Sequence, residues 1–298
     1  MALIFPEPKF YRLFELDAAP GTVYDTGGCL KVTAVADGTF TGEYLSGTLQ
    51  SGGGHWDTAD GDDIRLDRKY ILKTTDGAVI LMNADGWRQG EDEKVHVHFQ
   101  TGAKKYDWLN HAIAIGRTET AESRPVLAVY AMLPSSAVNV STLPADLKFE
   151  QLYYVEVNVA DQMKSGKFQG GNLMVIPITS GTFEGKRLSG TVECLGADYN
   201  ILRQGMPVKS HIATRYMLKT DDGAHISLVT DGRLYMDKAG VRAMMSGAAN
   251  SVELAYFRQH LMFTTGDSRY SWLNKDLCFA VIGQSKDRVI RYRAYALR

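Results

Sequence analysis

The sequence predicts an all-β protein built as two tandem antiparallel β-barrels, with a short helical insertion in the second. Three observations carry that expectation. Three blocks of sequence recur in the same order along the 298 residues, most remaining segments are short strand-like runs, and no long amphipathic helix competes with them.

The repeat is the strongest of the three. Gly38–Thr48 (GTFTGEYLSGT) and Gly181–Thr191 (GTFEGKRLSGT) agree at 8 of 11 positions, and Tyr70–Ile80 agrees with Tyr216–Ile226 at 8 of 11. Phe99–Asn110 (FQTGAKKYDWLN) agrees with Phe263–Asn274 (FTTGDSRYSWLN) at 7 of 12. Those 23 identities in 34 positions compare with on the order of two expected by chance. The numbering offset grows from 143 to 146 and then to 164, which puts the large insertion of the second copy around Arg233–His260.

These offsets divide the chain into a first barrel over 1–133, a linker over 134–147 rich in Ser, Pro and small residues, and a second barrel over 148–298. Within each copy, runs such as KYILKTT, AVILMNADG, YYVEVNV and HISLVTDG are enriched in β-branched and aromatic residues and broken by D-G and G-G pairs, the pattern of antiparallel strands joined by tight turns. Roughly eight to ten such strands can close into a barrel that removes exposed edges and holds one small ligand. In the insertion, Val241 with Met244 and Met245 gives an apolar helical face at i, i+3 and i+4, placed to lie over the barrel as a lid.

Composition narrows the function. With 33 Lys+Arg against 34 Asp+Glu, the formal charge of −1 offers no bulk attraction to nucleic acid or anionic membranes. The start MALIFPEPKF lacks a secretory pattern and no apolar run approaches ~18 residues, so a cytoplasmic chain with no membrane partner is expected. Cys29, Cys194 and Cys278 are odd in number and far apart, and read as buried reduced thiols rather than a disulfide or thiolate metal site.

G-T-F-x-G-x-x-L-x-G, a glycine-acid-aromatic turn, R-Y-x-L-x-T-x-D-G-A and F-x-T-G-x-x-x-Y-x-W-L-N together resemble the family known as domain of unknown function 3237. The second copy follows the pattern almost throughout. The first departs from it: His55 and Trp56 stand where the second copy has Asp198 and Tyr199, and Lys69–Tyr70 replaces Arg215–Tyr216. The resemblance implies calycin-like or lipocalin-like barrels that pair with themselves, so that a tandem chain carries its own pseudo-two-fold pair: a monomer with an internal pseudo-dimer, or a homodimer of such chains. It implies no settled activity.

No dinucleotide, P-loop, zinc-protease or nucleophile-elbow motif is present, so the expected chemistry uses side chains alone, with no cofactor and no metal. In a barrel, polar residues within apolar strands are the ones aimed at a ligand. Asp198 and His55, each beside an aromatic wall (Tyr199, Trp56), are the candidate acid and base, and the alternative for both is a turn cap at a glycine-rich hairpin end. Tyr70 and Tyr216 are candidate donors to a carbonyl or enolate, with Lys69 and Arg215 beside them on the opposite strand face. The pair His96 and His98, with His260 in the second copy, read as exposed or pocket-lining imidazoles, and Trp108 and Trp272 as core or ligand floor.

Two functions fit. One is a cofactor-independent isomerase, cyclase or dehydratase acting by acid–base chemistry on a hydrophobic small molecule. The alternative is a lipocalin-like carrier that binds such a molecule unchanged.

Overall fold

The computed structural model describes residues 5–121, 124–138, 141–203, 205–246, 255–283 and 287–298. The chain divides into two compact units. One holds Lys9–Leu133 with Ala137–Asp146; the other holds Leu147–Arg298 with Met1–Pro8 and Pro134–Ser136. The boundaries therefore differ from a simple cut at a linker, and the contacts give the reason. Ala145 N–H donates to the Phe10 carbonyl at 2.7 Å within the first unit. Phe5 packs edge-on against Tyr154 at 5.7 Å, under the Arg293 guanidinium, within the second.

The first unit is a closed antiparallel barrel of eight strands in sequence order. They are β1 (Tyr11–Asp25), β2 (Leu30–Thr41), β3 (Gly47–Asp60), β4 (Asp63–Thr74), β5 (Val79–Gln89), β6 (Asp92–Gln100), β7 (Ile113–Ala121) and β8 (Arg124–Met132). Strand β4 illustrates why these residues form a wall: Leu66, Arg68, Tyr70 and Leu72 are buried while Arg65, Asp67, Lys69 and Lys73 are exposed. That period-two alternation suits a strand with one face inside.

The second unit repeats the ring with β9 (Phe149–Val159), β11 (Gly171–Glu184), β12 (Gly190–Arg203), β13 (Val208–Thr220), β14 (His225–Met236), β15 (Ala255–Thr264), β16 (Cys278–Ile282) and β17 (Val289–Leu297). Strand β9 bonds both β11 and β17, which closes the barrel, and β10 (Met163–Phe168) is an extra hairpin arm on β11. Helix α1 (Lys238–Ser246) follows β14, its first turn capped by Asp237 accepting from Gly240 N–H at 2.8 Å. The side chains of Met244 and Met245, and residues 247–254 of the insertion, lie outside the described residues. No helix among the described residues is long and apolar enough to cross a membrane.

The interiors correspond residue by residue. Phe14 packs on Phe40 and Phe99 in the first barrel, and Tyr153 packs on Phe183 and Phe263 in the second. Below each barrel a short 3₁₀ segment, Lys104–His111 or Ser268–Asn274, carries an asparagine that clips a threonine nine residues earlier. Asn110 bonds both backbone groups of Thr101 at 2.9 Å, and Asn274 does the same to Thr265 at 2.8 and 2.9 Å. Of the cysteines only Cys278 is buried; Cys29 and Cys194 are exposed, which corrects the expectation of three interior thiols.

The glycine-rich segments GGGHW and GADY are not hairpin ends. Both lie inside long strands, β3 and β12, just past β-bulges between Gln50 and Gly54 and between Val192 and Gly196. At the second bulge Gly196 has φ +109°, and a Cβ there would fall 1.9 Å from the Arg215 carbonyl oxygen. Only glycine accepts both conditions. Gly196→Ala is expected to lower the unfolding free energy by at least about 1–3 kcal/mol, measured by urea denaturation. An unchanged midpoint would contradict the strained bulge.

Candidate functional site

The bulges decide which side chains enter the barrels. In β12, Asp198 and Asn200 face inward and Tyr199 faces out, 47% exposed. In β13, Tyr216, Thr214 and Ile212 face inward and Arg215 is exposed. Asp198, Thr214 and Thr230 lie directly opposite one another across β12, β13 and β14, so they form one polar row at a single level of the interior. The matching row of the first barrel is His55, Arg68 and Ala84.

The second barrel encloses a cavity of about 160 Å³. Most of its wall is aliphatic or aromatic, including Val157, Ile176, Ile178, Phe257 and Ile290, and its polar groups are Asp198, Asn200, Thr214, Tyr216, Thr230, Gln259 and Tyr292. Burial among these residues raises the Asp198 carboxyl to about 7, with the hydroxyl of neighbouring Thr214 pulling partly back. No cationic group contributes to that balance. Asp198 Oδ1 and Thr230 Oγ1 are both shielded from solvent and have no hydrogen-bond partner among the described residues.

Beside the carboxyl runs a chain of phenols. The Tyr292 hydroxyl bonds the Tyr216 hydroxyl and lies 3.3 Å from that of Tyr153. Burial pushes all three well above the usual phenol range, so they remain protonated donors at any working pH. Three hydroxyls joined by two contacts use two of their three protons, and Tyr216 and Tyr292 line the cavity, where the third can be offered.

The first barrel fills the same interior differently. Arg68 forms a buried ion pair with Glu93, and Asp57 and Arg88 extend it, with Arg68–Asp57 at 3.3 Å and Arg88–Glu93 at 3.2 Å. At the corresponding positions the second barrel has Thr214, Phe257, Asn200 and Leu234. Burial works against the Arg68 charge, yet Glu93, Tyr70 and Asp57 hold its pKa above the ordinary value. His55 packs edge-on to Tyr70 at 5.4 Å; burial, then Arg68, lowers its pKa to about 4, so it stands as a neutral imidazole. Burial raises Tyr70 to about 12, with Arg68 opposing.

The structure thus brings Asp198 together with Tyr216, and His55 with Tyr70, in separate barrels. Several residues expected to line a pocket do not. Trp56 and Tyr199 alternate outward from His55 and Asp198, and Lys69 and Arg215 are exposed next to the inward tyrosines, Lys69 pairing with Asp67 at 2.9 Å. His96 and His98 alternate with the core residues Val95, Val97 and Phe99 and so point away from the barrel interior, as His260 does between Gln259 and Leu261, yet His96 and His260 are buried, neither exposed nor pocket-lining. Trp108 packs on Tyr44 at 5.9 Å and Trp272 lies 3.5 Å under the Arg187 guanidinium, both in the 3₁₀ segments rather than in the cavity wall. Sequence reasoning missed Tyr153, Thr214, Thr230, Gln259 and Tyr292. The signal lay in comparing the copies, since Tyr153 stands where the first copy has Phe14, and Tyr292 where it has Leu127.

Two stability predictions follow from these environments. An unfolded Asp titrates near ~3.9, whereas folded Asp198 titrates near 7. Its contribution to stability is therefore complete below about pH 4, declines as the pH rises, and is lost once the pH passes 7. Asp198→Asn, neutral at every pH, is expected to flatten that decline and melt above the wild type at pH 8; parallel Tm–pH curves would contradict the buried-acid assignment. In the first barrel, Arg68→Met takes away the buried partner of Glu93 and leaves it only the half-buried Arg88 at 3.2 Å, which is expected to cost up to about 3–5 kcal/mol in urea unfolding. Arg68→Met with Glu93→Leu should recover most of that loss, and a double variant no better than the single one would argue against a buried pair.

Comparison with known proteins places these features. The family described as Protein of unknown function (DUF3237) matches residues 7–132 and again 147–297. A UPF0311 protein of Rhodopseudomonas palustris (strain TIE-1) is 28% identical over 152 residues, covering 48% of this chain and 93% of that protein. The hydroalkoxylation enzyme phnH of Penicillium herquei is 32% identical over 123 residues, covering 37% of this chain and 73% of that enzyme. Among solved structures, a β-barrel-like protein from Acinetobacter baumannii AYE is 32% identical with a TM-score of 0.46, covering 52% of this chain and 98% of its own. An enzyme from Penicillium herquei is 27% identical with a TM-score of 0.37, covering 42% and 96%. With two complete matches end to end in one polypeptide, the chain belongs to the DUF3237 family and is a tandem duplication of its domain.

Proposed function

We propose that the second barrel is the catalytic unit of a cofactor-independent, acid–base enzyme that adds a hydroxyl group across a carbon–carbon double bond of an uncharged hydrophobic metabolite, closing a ring where both groups belong to one molecule. One observation carries the reading: Asp198 is the one carboxyl among the residues lining a mostly apolar cavity, its Oδ1 has no hydrogen-bond partner among the described residues, and burial raises its pKa to about 7. A general acid works best when its pKa lies near the operating pH. The reading is supported by the similarity of part of the chain to the hydroalkoxylation enzyme of Penicillium herquei.

The step is redox-neutral. Protonated Asp198 gives its proton to one alkene carbon while the substrate hydroxyl oxygen bonds to the other. The carboxylate left behind then takes the hydroxyl proton. One C–O and one C–H bond form, the O–H and π bonds break, and the acid is regenerated. The hydroxyls of Tyr216 and Tyr292 stabilise negative charge on a conjugated carbonyl oxygen of the substrate, and the apolar walls keep out the water that would compete as nucleophile. Run backwards, the same groups catalyse elimination. In the first barrel, neutral His55 sits against an interior occupied by the Arg68–Glu93 pair, so we assign that copy a supporting role. The alternative reading, a carrier, is favoured by the apolar majority of the wall and requires binding without turnover.

The test is incubation of the full chain with phenols bearing a conjugated enone, such as 1-(2-hydroxyphenyl)but-2-en-1-one, in deuterated buffer, following loss of alkene signals and deuterium uptake at carbon by NMR. Turnover is expected to fall as the pH rises through about 7, because the protonated carboxyl is the working form. Asp198→Asn should reduce it by at least ~100-fold. Turnover at the wild-type rate in Asp198→Asn would refute the acid assignment, and binding with no turnover in the wild type would support the carrier.

A further inference from the structure

We infer that Thr230 is a second ligand-anchoring residue of the second barrel, which makes the cavity selective for compounds without an anionic group that bear two oxygen functions at opposite ends of about one ring. The inference deepens the reading of the second barrel as a small-molecule site, and it stands on hydrogen-bond accounting rather than on the reaction.

Thr230 is 2% exposed, faces inward from β14, lines the cavity, and has an Oγ1 with no partner among the described residues. Buried threonine hydroxyls are ordinarily satisfied, and one left open toward a cavity is satisfied by what fills it. The wall holds a second such atom, Asp198 Oδ1. The two residues share a level, with Thr214 between them, so they are two strand spacings apart, roughly 10 Å along the sheet. Less a hydrogen bond of ~2.8 Å at each end, roughly 4–5 Å remains between the two ligand oxygens, on the order of the separation of oxygens across one six-membered ring. The cavity volume of about 160 Å³ is that of a site for a single ring, comparable to engineered apolar cavities of ~150 Å³ that admit benzene.

Charge selectivity follows from the same wall. Four positions that carry charge in the first barrel, Asp57, Arg68, Arg88 and Glu93, are Asn200, Thr214, Leu234 and Phe257 in the second. A ligand carboxylate entering there meets no counter-charge and loses its hydration, so anionic compounds are rejected. The first barrel has Ala84 at the position of Thr230, which removes the second anchor from that copy.

The experiment is calorimetric titration of the intact chain with phenol, hydroquinone and benzoate, in wild type and in Thr230→Val, with the thermal midpoint of each protein measured alongside. Wild type is expected to bind hydroquinone about three- to tenfold more tightly than phenol, the value of one added hydrogen bond, and not to bind benzoate. Thr230→Val should bring hydroquinone and phenol to the same affinity while its thermal midpoint stays level or rises, since it loses a hydroxyl that makes no internal bond. A hydroquinone preference that survives Thr230→Val, a variant that melts well below the wild type, or no binding of hydroquinone to the wild type would each overturn the assignment. Because the readout is affinity, failure of Asp198-dependent turnover leaves this inference standing, and loss of the two-oxygen preference leaves the acid–base reading standing.

Discussion

Closing eight strands into a ring fixes the width of the interior before any inward side chain is chosen. Each ring must then be filled by those side chains or left partly empty. Both copies put a continuous apolar cluster at one level, built around Leu72, Ile80 and Met82 in the first barrel and Leu218, Ile226 and Leu228 in the second. They differ at the levels above. There the first barrel is closed by the Arg68–Glu93 pair, while the second replaces the paired charges with shorter or apolar groups and keeps a void. Everything proposed for the chemistry depends on that void and on the lone carboxyl left in its wall.

A solitary carboxyl in such a wall is expensive in its charged form, and the protein lowers that cost by keeping the proton. The phenols obey the same rule from the other direction. Burial raises Tyr153, Tyr216 and Tyr292 well above the ordinary range, so that each stays a donor. The apolar wall therefore does more than hold a hydrophobic molecule. It sets the protonation state of every titratable group that faces the molecule, making one acid near neutrality and two phenol donors, Tyr216 and Tyr292, that do not ionise.

Much of the architecture was legible in the sequence because repetition and period-two patterning are properties of the chain itself. The blocks ending in Thr48 and Thr191, the tyrosines 70 and 216 and the W-L-N segments mark equivalent places, and the structure superposes their roles. Asp198 and His55 were also legible, as the pair of unlike residues at one repeated position. What misled was the bulge. Glycines in G-G-G-H-W and G-A-D-Y read as a hairpin end, whereas they let a long strand bend, and a bulge resets which residues alternate inward. Tyr199 and Trp56 were grouped with the pocket for that reason, whereas the histidines were grouped with it because H-V-H sets two imidazoles on one strand face. Tyr153, Tyr292 and Thr230 were missed because each looks like ordinary strand sequence until it is set against Phe14, Leu127 and Ala84 of the other copy.

The position opposite Asp198 controls what Asp198 can do. In the first barrel the residue across from His55 is Arg68, a guanidinium held by Glu93 and Asp57; in the second it is Thr214. A guanidinium facing Asp198 would form an ion pair and hold the carboxyl at or below the usual range, since an opposite charge within a few ångströms favours ionisation more strongly than burial opposes it in a paired site. The carboxyl would then be a poor proton donor at neutral pH, and the side chain of the arginine would occupy the void. Loss of charge at that one position thus opens space and leaves the acid protonated in the same stroke. The reverse holds in the first barrel, where burial and then the neighbouring arginine keep the imidazole neutral, and the arginine keeps the interior full. Among the positions at which the two copies diverge, this one has two physical consequences, which links the acid and the cavity in the same barrel.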